Sequence, residues 1–390
     1  MKIGILTFHS QLNYGGVLQA YAMQMALQAM GHEAVVIDRW LTERNEPLLG
    51  PFLNNWRGRV GTLIRGFAGT GAFGRIFRHW HTICFIRQKL NLTTYHFYEW
   101  KNAPKDLGVD VVLVGSDQVW NGNYGRPRPY LLEGAPSVSA IAYAASFGMR
   151  ALPEVLISAY REGFQRFKAI SVREAEGIGL VESQGATATH VVDPTLLLEP
   201  SIWKTKVTYS STKKNSLVCY LLEENIETHR ASLETFVKMH NCSIEVMLGN
   251  GLPFPKTLTQ IVQRVTYIMR NVFSPVRVDF AAGPQEFLNA FANATWVLSD
   301  SFHAVMFSSI FGKNVRVLRP QSESRQKMFA RIEEFAQQAV AAGELIAEDV
   351  PSALNSLIND TPLQFNTDFI ARRRAESKAW LENALAEAMK

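Results

Sequence analysis

Residues 298–312 read L-S-D-S-F-H-A-V-M-F-S-S-I-F-G. The apolar run Thr295–Leu298 predicts a buried strand, and Ser299-Asp300-Ser301 is a cluster that favours turns and helix starts. From Phe302 to Phe311 the chain has the length and apolar character of a buried helix, which Gly312 stops. His303 then falls in the first turn of that helix. A helix start offers unpaired N–H groups and a positive dipole end to an anion, and an imidazole beside it can give or take a proton near neutral pH. Anion binding coupled to acid–base chemistry is the function these residue types permit. A core histidine satisfied by a backbone partner is the competing reading of the same pattern.

Other chemistry-bearing residues also fall where apolar runs end. Asp110–Val114 runs into Gly115-Ser116-Asp117-Gln118, and Ala140–Ala145 into Ser146-Phe147-Gly148. Ala169–Val172 ends at Arg173-Glu174, and Ile3–Phe8 leads to Asn13-Tyr14-Gly15-Gly16. Arg173 can hold a carboxylate or phosphate through two parallel N–H bonds. Asp117 is a candidate base, with a turn cap as the alternative role. Gly15 and Gly16 permit close backbone approach; the stretch lacks the full G-x-G-x-x-G of a dinucleotide site.

The elements that must position these residues alternate between strand and helix throughout. Strand Ile3–Phe8, helix Val17–Met30 and strand Ala34–Ile37 open a βαβ unit. Later strands are expected at Ala169–Val172, Leu217–Leu222, Ile244–Leu248 and Val315–Leu318, the last clear one. Trp203–Ser216 is polar and reads as a linker. The pattern implies two doubly wound α/β units facing a cleft. The first is expected over residues 1–200, with a helical insertion at about 50–100, and the second over 201–365. A long helix over 366–390 is expected to fold back on the first.

Composition narrows the class. The chain has 390 residues, a net charge of +5 and three well-separated cysteines, Cys84, Cys219 and Cys242. That cysteine usage argues against a disulfide framework or zinc site, and for a reducing compartment. The apolar stretch at Met1–Phe8 is too short for a secretion signal and reads as a strand. No segment reaches the roughly 18–20 apolar residues that cross a bilayer. A cytoplasmic protein is expected, with no metal. Between Glu46 and Glu99 there is no acid. Arg57, Arg59, Arg65, Arg75, Arg78, Arg87 and Lys89 alternate there with Trp56, Phe67, Phe73, Phe77, Trp80 and Phe85. Such a segment suits an anionic membrane surface or a pyrophosphate-bearing acceptor. A helix pair packed on the core with solvated arginines is the plainer alternative.

Taken together, these stretches resemble the polysaccharide pyruvyltransferase family. The resemblance rests on Asn13-Tyr14-Gly15-Gly16-Val17-Leu18-Gln19-Ala20-Tyr21, Gly115-Ser116-Asp117-Gln118-Val119-Trp120-Asn121 and Tyr143-Ala144-Ala145-Ser146-Phe147-Gly148. It extends through Val172-Arg173-Glu174, Val192-Asp193-Pro194-Thr195 and Ser299-Asp300-Ser301-Phe302-His303. It implies a fold similar to GT-B glycosyltransferases and transfer of a pyruvyl group from phosphoenolpyruvate onto two hydroxyls of a sugar, releasing phosphate. On that resemblance Arg173 and His303 are carried over for donor binding; Ser301, at the helix start, and Arg325, at a basic position shared with relatives, are further donor-side candidates. His303 and Asp117 are the catalytic candidates, and Asn13, Gly15, Gly16, Ser116, Gln118 and Asn121 form the acceptor side. The implied partners are phosphoenolpyruvate, which is the donor substrate with no cofactor, and a sugar acceptor that can be lipid-linked; the basic segment separately suits peripheral contact with the inner membrane face. Nucleic acid is not expected. Asp193–Pro194 reads as a turn. A nucleotide-sugar glycosyltransferase and a catalytically silent scaffold or carbohydrate-binding paralogue are the alternatives.

Overall fold

The computed structural model describes residues 1–10, 13–39, 70–123, 127–210, 215–222, 226–248 and 274–390. Two parallel sheets organise it. The first contains β1 (Lys2–Leu6), β2 (Glu33–Arg39), β3 (Leu92–Phe97), β4 (Val111–Val114), β5 (Ser139–Ala145), β6 (Ala169–Val172) and β7 (Thr189–His190), in the order β3-β2-β1-β4-β5-β6-β7. The second contains β8 (Ser216–Leu221), β9 (Ser243–Leu248), β10 (Val276–Asp279), β11 (Trp296–Ser299) and β12 (Asn314–Leu318). Three short strands follow, β13 (Val340–Ala342), β14 (Ile346–Ala347) and β15 (Gln364–Phe365). Of these only β14 joins the second sheet, whose order is β10-β9-β8-β11-β12-β14; β13 and β15 pair antiparallel with each other.

Strands such as β4, V-V-L-V, are apolar at every position and buried along their length. They need cover on both faces, which helices from the connecting crossovers supply. Each sheet reverses its strand order once, between β1 and β4 and between β8 and β11. Ligand crevices form outside the strand ends at such switch points. Here the β1 and β4 ends carry Asn13 and Asp117, and the β11 end carries Ser301 and His303.

One apolar core runs through both halves, from Ile3 and Val17 through Phe287, Phe302 and Phe307 to Leu381. The Tyr14–Ala29 helix lies at its centre and is buried nearly all round. Its first residue reaches across: the Tyr14 hydroxyl donates to Ala282 O at 3.1 Å and its ring stacks on Phe287 at 5.1 Å. The Thr367–Ala388 helix packs against the first half. Arg374 Nε donates to Leu196 O at 2.7 Å, Val192 N–H donates to Ser377 Oγ at 3.0 Å, and Ser139 Oγ donates to Ala388 O at 2.6 Å.

Several local expectations shift. The first helix starts at Tyr14 rather than Val17, because Asn13 caps it and draws Gly15 and Gly16 into its first turn. Trp203 is not linker. It is buried in the short Pro200–Lys204 helix, and its Nε1 donates to Thr195 O at 2.9 Å. The strands beyond β12 are two or three residues long, too short to carry a period-two pattern. Arg57, Arg59 and Arg65 lie outside the described residues. Arg78, on the Thr70–Lys89 helix, is buried with its guanidinium 4.6 Å from the Tyr14 ring centre, so it serves the core rather than a basic surface. No helix among the described residues is long and apolar enough to cross a membrane.

Candidate active site

The second half delivers its residues through the β11 end. Asp300 Oδ1 accepts the Leu222 N–H at 2.7 Å, tying the ends of β8 and β11 together across the switch point. Ser301 is the extended N-cap of the Phe302–Phe311 helix, and Gly312 ends that helix at φ +63°. His303 is thereby fixed in the first turn, pointing at the first half.

The first half meets it with a helix start of its own. Asn13 Oδ1 accepts the Gly15 N–H at 3.0 Å. A Cβ on Gly15 would fall 2.0 Å from His303 Nδ1, so only glycine lets the imidazole lie against this turn. A Cβ on Gly16 would stand 3.4 Å from Asp117 Oδ2. Asp117 adopts a left-handed φ of +65°, one that aspartate tolerates better than most residues. Its Oδ1 accepts the Gln118 N–H at 2.9 Å.

Behind these groups lies a buried ionic cluster. Arg173 Nη1 donates to Asp193 Oδ2 at 3.0 Å and Nη2 to Asp117 Oδ1 at 3.5 Å, with Glu174 Oε2 3.9 Å from Nε. Its side chain is only 1% exposed. Burial penalises the guanidinium, yet Asp117, Asp193 and Glu174 outweigh that and hold its pKa above the ordinary value. Glu174 has a second task. Its Oε1 accepts from Ser146 Oγ and the N–H groups of Phe147 and Gly148 at 2.8, 2.8 and 3.0 Å.

Asp193 is the hub. Oδ1 accepts from Thr195 N and Oγ1 at 3.0 and 2.7 Å, and Oδ2 faces Arg173, Ser116 Oγ at 3.4 Å and His303 Nε2 at 3.7 Å. The histidine separation is an electrostatic contact rather than a hydrogen bond. Burial pushes the Asp193 carboxyl up, but the facing His303 and Arg173 and the Thr195 N–H hold it well below the ordinary carboxylate range.

The cavity between the halves, about 110 Å³, is lined by Asn13, Asp117, Gln118, Ser301, His303 and Arg325 among the sequence-derived candidates. Arg325 also donates to Leu222 O at 3.1 Å and lies 3.8 Å from Asp300. Five candidates sit behind the wall. Gly15 and Gly16 give room, and Ser116 is fully buried with its Oγ donating to Ala144 O at 3.0 Å. Asn121 is buried with its side-chain amide 3.0 Å from that of Gln118, and Arg173 is enclosed by carboxylates. The terminal nitrogens of Arg173 are engaged by Asp193 and Asp117.

Sequence reading missed two residues. Asp193 reads as a turn aspartate and is indeed the N-cap of the Pro194–Leu197 helix, but its other oxygen is the ionic hub. Arg331, on the charged Glu323–Ala339 helix, lines the cavity, and nothing in its neighbours distinguishes it from a surface arginine.

This architecture is that of the GT-B-like two-domain enzymes. The UDP-GlcNAc 2-epimerase of Methanocaldococcus jannaschii is 11% identical, with a TM-score of 0.50 over 98% of this chain and 99% of that one. The Neisseria meningitidis UDP-GlcNAc 2-epimerase, solved bound to UDP-GlcNAc, is 12% identical with a TM-score of 0.50 over 99% and 100%. At such identity the likeness establishes fold alone. No curated protein matches the chain at a significant level. The family, however, is clear: residues 13–322 match the polysaccharide pyruvyl transferase family, and the chain belongs to it. Its members are transferases.

Replacing Asp193 by Asn leaves Arg173 undercompensated and is expected to cost about 3–5 kcal/mol at neutral pH. Because the folded pKa lies below the ordinary 3.8, the stability from this carboxylate is complete above that pH and is lost as pH falls toward the folded value. Denaturant melts from pH 7 to 2 should therefore show a smaller acid loss in Asp193→Asn than in the parent protein. Parallel curves would contradict the hub assignment.

Proposed function

We propose that this transferase moves the carbon skeleton of phosphoenolpyruvate onto two hydroxyls of a sugar in a cell-surface polysaccharide or its lipid-linked precursor. The observation that carries the reading is the convergence of His303 and Asp117, from opposite halves, on one cavity in a member of this family. In the proposed reaction the methylene carbon is protonated and the first hydroxyl oxygen bonds to the carbon bearing the phosphate. The C–O bond to phosphate then breaks, and the second hydroxyl oxygen takes its place. One hydroxyl proton ends in the new methyl group and the other on the phosphate, so the atoms balance with no cofactor.

His303 is the proposed acid. Its Nε2 faces Asp193 at 3.7 Å, and the ring lines the cavity. Asp117 is the proposed base for the attacking hydroxyl, with Asn13 and Gln118 lining the same wall to hold the acceptor. An acid and a base on opposite sides of one carbon meet the demands of ketal formation. The Ser301–His303 helix start adds a positive dipole end for one of the donor's anionic groups.

Thermal unfolding tests the donor. Phosphoenolpyruvate at a hundred times its dissociation constant should add about 2.7 kcal/mol to stability, whereas UDP-GlcNAc should add nothing. Stabilisation by UDP-GlcNAc alone would overturn the reading in favour of a nucleotide-sugar enzyme.

The membrane contact is also a proposal. Phe77 and Trp80 lie on one face of the Thr70–Lys89 helix, each 51% exposed, and Arg87 and Lys89 are exposed toward its end. Aromatic and cationic groups so arranged suit an anionic bilayer surface. Vesicles containing phosphatidylserine should co-sediment the protein in a salt-sensitive manner, and Trp80→Ala should weaken this. Equal sedimentation with neutral phosphatidylcholine vesicles would exclude it.

A further inference from the structure

The stretch Asn13-Tyr14-Gly15-Gly16-Val17-Leu18-Gln19 ends in a polar side chain that does not line the cavity. Gln19 is fully buried on the Tyr14–Ala29 helix, between Leu18 and Ala20. An amide in such a place costs stability unless its donors and its acceptor are met. Here groups from three elements meet them. Nε2 donates to Thr7 Oγ1 at 2.8 Å and to Gly16 O at 2.9 Å, with Phe8 O at 3.4 Å. Oε1 accepts the Ser116 N–H at 3.3 Å. The amide can face only this way, because carbonyls only accept and a backbone N–H only donates. Thr7, buried just beyond β1, closes the circuit, its Oγ1 donating to Ser116 O at 3.0 Å. Both main-chain polar groups of Ser116 are therefore held by side chains.

Ser116 precedes Asp117, whose φ of +65° lies in a sparsely populated region for a residue with a side chain. A conformation of that kind persists where the surroundings over-determine it. The Gln19–Thr7 clamp does so from one side, and the Ser146 N–H, donating to Asp117 O at 3.0 Å, does so from the other. The same Gln19 amide holds Gly16 O, in the turn on which the His303 imidazole rests through Gly15. One side chain thus ties the surface that seats His303 to the turn that carries Asp117. Those two groups must keep a fixed separation if one gives a proton and the other takes one across a single carbon.

We propose, on the reading of Asp117 as the base of the transfer, that Gln19 and Thr7 are positioning residues whose clamp sets Asp117 in register with His303 across the cavity. Neither side chain touches the ligand; both act through the Ser116 main chain.

Three variants separate the parts of the clamp. Thr7→Val removes the hydroxyl and keeps the shape, Thr7→Ser keeps the hydroxyl, and Gln19→Met removes the amide. Each is first shown to be folded by circular dichroism. Phosphate release from phosphoenolpyruvate gives the rate, with methyl glycosides of galactose, mannose and N-acetylglucosamine as acceptor probes. Calorimetric titration gives the phosphoenolpyruvate affinity. Thr7→Val and Gln19→Met should lose about ten- to a hundredfold in rate, the effect of displacing a reacting group by about an ångström. Their phosphoenolpyruvate affinity should stay within about threefold, because the donor's contacts are untouched. Thr7→Ser should recover most of the rate. The Ser116 N–H loses its acceptor in Gln19→Met and should exchange with deuterium faster there, while the Phe302–Phe311 helix keeps its protection. A folded Thr7→Val or Gln19→Met variant with the parent's rate overturns the proposal. Affinity that falls in step with rate also overturns it, since that is general disruption of the cleft. Absence of phosphoenolpyruvate binding by the parent defeats the functional reading itself. With or without turnover on these probes, Ser116 exchange that is the same in Gln19→Met and the parent overturns the clamp.

Discussion

The structure of the cleft depends on one buried carboxylate. Asp193 sits where β7 gives way to a one-turn helix, and its two oxygens do separate jobs. One caps the helix through Thr195. The other takes Arg173 and faces His303 from the opposite half. Burying charges of this kind is expensive, and an apolar replacement is often as stable. What the cluster supplies is position, since it fixes an arginine, an aspartate at the β4 end and the imidazole in one constellation. Gly15 tightens the constraint, because its missing side chain is the space the His303 ring occupies.

Such a constellation is useful only if the two halves keep their relative placement. The shared core provides that. Tyr14 bonds to the second half from the first residue of the first helix, Trp203 packs edge-on against Phe307 at 5.0 Å, and the final helix returns to bond with β5 and the residues after β7.

Much of this was legible in the sequence. Apolar runs that stop at Ser116, Arg173 and Ser301 mark strand ends, and the switch-point rule brings those ends together without further information. The Asn13 to Gly16 stretch announced a close backbone approach, although not that the group approached would be His303. The roles within the site were harder to read. Whether Arg173 faces outward or inward depends on three carboxylates scattered from residue 117 to 193, and Arg331 belongs to a helix whose charges look solvated. Local pattern carries no record of which charge a distant carboxylate has claimed. The polar stretch after Trp203 misled for a related reason: a single buried indole is set by tertiary packing and leaves no periodic trace.

The most direct test is a crystal structure of the protein with phosphoenolpyruvate. The account predicts the ligand in the cavity between the two sheets, with one anionic group at the Ser301–His303 helix start and the methylene carbon near His303. A ligand bound outside this cavity, or one that leaves His303 out of reach, would contradict it.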